Sequence, residues 1–163
     1  SQSMAAIKTD GTLWTWGYAV AGQLGLNEQT AYSSPKQVPG TTWRSVRMAN
    51  FAAWATKTDG TLWSWGRNLE GILGHGQSIN NVYRSSPVQV GSATTWSDKI
   101  TLVAPTSILM KKTDGTLWSW GYNSKGTLGL NNRTTAPTPQ QIPGTLWNSI
   151  GGCANGGFGT QLA

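Results

Sequence analysis

Apolar and polar residues alternate in short runs along this chain. Met4-Ala5-Ala6-Ile7-Lys8 and Thr12-Leu13-Trp14-Thr15-Trp16 flank Asp10-Gly11. A period of two puts Trp14 and Trp16 on one face of a strand, Leu13 and Thr15 on the other. Both faces carry groups that pack, as in a sheet held between two neighbours. Asp-Gly between two such runs predicts a tight hairpin with both turn residues at positive φ. The run from Ser33 to Val38 contains Pro35 and predicts an outer strand, where a missing N–H is tolerated. Trp43 to Met48 predicts the next inward strand. No stretch of ten or more residues carries a helical period.

The pattern then repeats. The ten residues from Lys8 to Gly17 return at Lys57–Gly66 and Lys112–Gly121 with one Thr/Ser exchange. Gly22-Gln-Leu24-Gly25 returns as Gly71-Ile-Leu73-Gly74 and Gly126-Thr-Leu128-Gly129, and Pro35, Pro87 and Pro139 stand 52 apart. Trp43, Trp96 and Trp147 close each unit. A period near 52 lies in the range of propeller blades. The repeats run over approximately 1–49, 50–104 and 105–157, with 158–163 opening a fourth, all in one segment, 1–163.

A unit of about four short strands cannot bury both of its faces alone and must stack on copies of itself. The predicted fold is therefore all-β: antiparallel four-stranded propeller blades. The repeated residues take structural roles. Asp10-Gly11, Asp59-Gly60 and Asp114-Gly115 make the turns. Trp14, Trp16, Trp63, Trp65, Trp118 and Trp120 are wedges between blades, worth roughly a few kcal/mol each when buried.

Asp-Gly-Thr-Leu-Trp-Ser-Trp-Gly, then Tyr122 to Gly129, then Pro-x-Gln-Val or Pro-x-Gln-Ile, then Trp, resembles the repeat of the regulator of chromosome condensation family across nearly the whole chain. The resemblance implies a propeller, usually of seven blades. The Lys-Thr-Asp-Gly-Thr-Leu-Trp form is similar to bacterial and tailed-phage members. Three blades fall short of the roughly four to eight that close a ring. The expectation is that further blades in a longer chain, or a second copy of this chain, complete it.

Composition narrows the chemistry. Charged residues make up only 11% of the chain, and the net charge of +6 is spread over scattered basic residues, of which only Lys111 and Lys112 are adjacent, rather than a stripe or tail. Specific nucleic-acid binding is therefore not expected. No apolar run approaches the ~20 residues of a membrane helix. One cysteine, Cys153, permits no internal disulfide, and with one histidine it makes no zinc site. No nucleophile elbow or phosphate-binding loop is present. The three repeated aspartates are explained by turns. Of the other acids, Glu28 and Asp98 are expected in connections between strands. No enzyme activity and no cofactor or metal is expected.

Recognition is sought where the copies differ, because variable loops on a rigid scaffold carry it. The candidates are Tyr18 and Tyr122 after the Trp-Gly pairs, Tyr32 and Tyr83 in the variable loops, His75 after Gly74, and Trp54, which replaces Ala5 and Leu109. The expected function is a non-enzymatic scaffold recognising a protein or a host glycan, on a bacterial surface or a phage virion. Two family-level alternatives stand beside it: a nucleotide-exchange regulator of a small GTPase with chromatin contact, and a propeller inhibitor of an enzyme.

Overall fold

The computed structural model describes residues 2–49, 51–77, 82–104 and 106–151. The start of a fourth repeat and Cys153 lie outside the described residues. Among those described, the regular elements are strands: β1 (Ser3–Ile7), β2 (Leu13–Gly17), β3 (Tyr32–Gln37), β4 (Trp43–Ala49), β5 (Ala52–Lys57), β6 (Leu62–Asn68), β7 (Val82–Gln89), β8 (Trp96–Ala104), β9 (Ser107–Lys112), β10 (Leu117–Gly121) and β11 (Ala136–Ile142). They form three antiparallel sheets, β1-β2-β3, β4-β5-β6-β7 and β8-β9-β10-β11. The second and third are four-stranded propeller blades. The first has three strands among the described residues and no counterpart of β4 or β8. Asp98 lies within β8 rather than in a connection, a correction to the sequence expectation.

Each sheet is a meander, so connections within it join neighbouring strands, while the links β3–β4 and β7–β8 pass from the outer edge of one sheet to the inner edge of the next, and all lie at one of two rims. Between sheets the strands that approach one another are β1, β4, β5 and β8. That edge is the inner one. β3, β7 and β11 form the outer edge, where Pro35, Pro87, Pro137 and Pro139 cost no shared ladder bond.

The hairpin turns differ in type from the two-residue form expected. Gly11, Gly60 and Gly115 have φ of 79°, 78° and 83°, whereas the preceding aspartates are not at positive φ. Gly11 N–H donates to the Lys8 carbonyl at 2.9 Å, and Lys8 N–H to the Thr12 carbonyl at 2.9 Å. This is a three-residue loop with glycine in the left-handed position. Asp is used differently: its carboxylate accepts from the amide and hydroxyl of Thr12 at 2.9 and 2.6 Å. The Thr12 hydroxyl oxygen in turn accepts from the Trp14 indole at 2.9 Å. The same relay recurs through Asp59, Thr61 and Trp63, and through Asp114, Thr116 and Trp118. The repeated Asp-Gly-Thr-Leu-Trp thus fixes both the turn and the first tryptophan of each strand.

The core lies between sheets. Leu13 and Val38 of the first sheet meet Trp43, Ala53, Ala55 and Trp65 of the second. Ala52, Trp54 and Leu62 on the other face of the second sheet meet Trp96, Ile108, Met110 and Trp120 of the third. Each interface holds a tryptophan cluster: Trp43 packs edge-on against Trp63 and Trp65, and Trp96 against Trp118 and Trp120, with centroids 5.8–6.1 Å apart. Lys57 and Lys112 cap these clusters, 4.2 and 3.8 Å from the Trp63 and Trp118 rings.

Candidate recognition surface

The two rims are unlike. One carries the tight Asp-Gly turns and the short links from outer to inner strands. The other carries the long connections, residues 18–31, 69–77 and 122–135, together with Phe51 and Thr106. Four of the sequence candidates stand on this long-loop rim. Tyr18, Tyr83 and Tyr122 are 42%, 43% and 40% exposed. Tyr18 and Tyr122 follow Gly17 and Gly121, at the same place in their blades, where the second blade has Arg67. Tyr18 leans on Phe51, with ring centroids 6.2 Å apart. Tyr32 opens β3 at this rim but is half-buried. Its hydroxyl donates to Glu28 at 2.7 Å, and Lys36 lies 5.1 Å from its ring. The hydrogen bonds from Tyr32 and Thr30 hold the Glu28 carboxyl below its usual range, and Glu28 pushes the Tyr32 hydroxyl up.

The other two candidates face inward: Trp54 lies in β5, and His75, in the 69–77 connection, lines a space between sheets. Trp54 is fully buried against the third sheet, with its indole N–H on the Ile72 carbonyl at 3.2 Å. Its expected place on the recognition surface is corrected. Ala52-Ala53-Trp54-Ala55 is apolar on both faces, the signature of a strand covered on both sides. That run was the sequence signal for burial.

His75 lines a cavity of about 580 Å3 between the second and third sheets, with Val90, Trp96, Lys112, Trp118 and Thr138. Its Nε2 lies 3.0 Å from the Ser64 hydroxyl. That hydroxyl also donates to the Leu73 carbonyl at 2.6 Å, as Thr15 does to Leu24 and Ser119 to Leu128. Ser64 therefore performs the loop-anchoring task of its two counterparts, with its proton on a backbone acceptor, unlike an activated nucleophile. Burial pushes the His75 imidazole below its usual value. Among the described residues no three His, Cys, Asp or Glu side chains group as metal ligands. Also among the described residues, no helix is long and apolar enough to cross a membrane.

The comparisons agree with this architecture. A model of the regulator of chromosome condensation (RCC1) repeat matches residues 10–53, 59–104 and 114–159. Among solved structures, human WBSCR16 is 20% identical with a TM-score of 0.70, over 88% of this chain and 36% of that one. Prp20p of Saccharomyces cerevisiae, described with its binding to Gsp1p and histones, is 19% identical with a TM-score of 0.71, over 89% of this chain and 37% of that one. The same yeast protein bound to Kap60 matches equally, with a TM-score of 0.71. This chain thus spans little more than a third of the length of these neighbours.

Proposed function

The chain belongs to the regulator of chromosome condensation repeat family, and from that premise we propose that it is a non-enzymatic propeller scaffold that recognises a protein or a host glycan through its long-loop rim. One observation carries the reading: Tyr18 and Tyr122 on the long loops, and Tyr83 near the start of β7, are each exposed at that rim of a rigid, repeated core. Tyrosine gives a flat apolar contact with a polar tip at low entropic cost, which suits both protein and sugar partners. The setting proposed for it is a bacterial surface or a phage virion, where a durable all-β scaffold with little charge is suited to exposed recognition.

The test probes glycan arrays and panels of purified surface proteins with the labelled chain and with the combined variant Tyr18→Ala, Tyr83→Ala, Tyr122→Ala. The expected result is a bound partner whose affinity falls about tenfold or more in the variant, with unchanged thermal stability. Equal binding by both forms, or no partner in either panel, overturns the reading.

A second reading is nucleotide exchange on a small GTPase, supported by the solved neighbour described as binding Gsp1p. Release of a fluorescent guanine nucleotide from purified GTPases tests it. Acceleration by this chain would favour exchange over the scaffold alone, and an unchanged rate removes it.

A further inference from the structure

The two sheet-to-sheet interfaces within the chain are built alike. The second tryptophan of one blade donates its indole N–H to the Gly-x-Leu-Gly loop of the blade before it: Trp65 to the Gln23 carbonyl at 2.9 Å, Trp120 to the Ile72 carbonyl at 2.8 Å. A leading tryptophan, Trp43 or Trp96, is 3% or 2% exposed. A lysine lies over its ring, Lys57 at 4.7 Å and Lys112 at 4.9 Å from the centroid. In both interfaces the leading indole N–H is buried with no hydrogen-bond partner among the described residues.

They differ in what covers that N–H. Residues 39–42, four in all, link Val38 to Trp43, whereas residues 91–95, five in all, link Val90 to Trp96. In the shorter link, a Cβ on Gly40 would meet Trp43 Nε1 at 3.6 Å and Lys57 Nζ at 3.8 Å, so Gly40 covers both donors. Leu26 packs against the same cluster. Residues 143–146 make another short link, and a Cβ on Gly144 would again meet its indole, Trp147 Nε1, at 3.6 Å. The longer link breaks this pattern. Gly91 has open space around its Cβ position, and His75 stands in the place of Leu26. The space left there is the cavity of about 580 Å3 lined by Trp96, Trp118, Lys112, Val90, His75 and Pro139. All of its walls come from the second and third sheets and their connections.

We propose that this space binds a small aromatic monocarboxylate, with its carboxylate between Lys112 Nζ and Trp96 Nε1 and its ring against Trp118, Val90 and Pro139. An apolar cavity with a few convergent polar groups is the usual form of a small-molecule site. Here the strongest polar groups are donors: the buried indole N–H, and the Lys112 ammonium 3.8 Å from the Trp118 centroid. Among the described residues that line the space, none is acidic. A carboxylate accepts from both donors, and the tryptophan faces suit a flat ring. One ammonium and one neutral N–H match a single negative charge. A phosphate dianion in so apolar a space would be left short of compensation. Burial holds the Lys112 ammonium below its usual range, a cost that an anion beside it offsets. The site is separate from the long-loop rim and does not depend on recognition there.

The experiment titrates naphthoate, and naphthamide as its uncharged counterpart, into the intact chain with nitrogen-labelled tryptophan, read by NMR. Naphthoate is expected to move the Trp96 indole N–H resonance downfield to saturation and to leave that of Trp43 in place. Naphthamide is expected to bind about tenfold more weakly or less. Lys112→Met keeps the hydrocarbon over the two rings and is expected to weaken naphthoate about tenfold or more. Deleting Gly91 together with His75→Leu copies the first interface and is expected to abolish the shift. No saturable shift of Trp96 overturns the proposal, as do equal shifts of Trp43 and Trp96, equal binding of acid and amide, or unchanged binding by Lys112→Met. Melting temperatures separate lost binding from lost fold in the variants, and the comparison of acid with amide needs no variant at all.

Discussion

The indole N–H of Trp65 donates to the carbonyl of Gln23 at 2.9 Å, from the second sheet to a loop of the first. Both residues are fully buried. This bond places the ring, and the ring fills the interface beside Trp43. Trp65→Phe leaves the Gln23 carbonyl without its donor and is expected to cost ~1–3 kcal/mol. Trp65→Ala also opens a cavity and is expected to cost ~3–5 kcal/mol. Urea unfolding of the three proteins checks the order.

Thr61 joins Asp59 to Trp63. Its hydroxyl donates to the carboxylate at 2.7 Å and accepts from the indole at 2.8 Å. Thr61→Val keeps the shape and removes both bonds, with an expected loss of ~1 kcal/mol in thermal or denaturant melts. Thr61→Ser keeps the hydroxyl and is expected to lose less than half as much.

Acid should weaken the fold in two steps. Burial, helped by the Arg84 charge, sets the His75 imidazole below its ordinary value of 6.5. The unfolded chain then binds the proton more readily, so stability is complete above pH 6.5 and falls as pH drops toward the lowered folded value. Hydrogen bonds from Thr12, Thr61 and Thr116 lower Asp10, Asp59 and Asp114 from 3.8. Their contribution is present above that value and lost as pH falls through the lowered ones. His75→Leu, the residue found at the matching positions Leu26 and Leu130, is expected to abolish the first step and leave the second. Melting temperatures between pH 8 and 3 separate them.

Gly60 and Gly91 both have positive φ, 78° and 61°. A Cβ on Gly60 would stand 1.9 Å from the Thr94 carbonyl oxygen, and one on Gly91 would meet nothing within 4 Å. Gly91→Ala is expected to cost ~1–2 kcal/mol, the backbone penalty alone. Gly60→Ala must also displace the link to β8, so its melting temperature is expected to fall clearly further.

Much of the fold was legible in the chain. Alternation around Trp14 and Trp16 gave two packing faces, and both became interfaces in the second sheet. The strand limits moved by a residue or so, as with Thr12, which left β2 to serve the Asp10 relay. The turn type was not legible, because Asp-Gly suits both a two-residue loop and the last two places of a three-residue loop. The site was harder. Tyr18 and Tyr122 stand out because they follow the Trp-Gly pairs, whereas Tyr32 and Tyr83, expected in variable loops, lie in β3 and β7. Trp54 is misleading in the sequence because a position that varies between copies suggests exposure. Variation there reflects how neighbouring blades share volume, with Ala5 and Leu109 at the same place.

The repeated indole-to-carbonyl bond is the joint of the whole arrangement. Hydrogen exchange of tryptophan side-chain N–H groups, read by NMR on tryptophan-labelled protein, tests it most directly. The indoles of Trp65 and Trp120 are expected to exchange together and only with global unfolding. Exchange of either at the rate of free tryptophan in the folded protein would contradict the stacked-blade account.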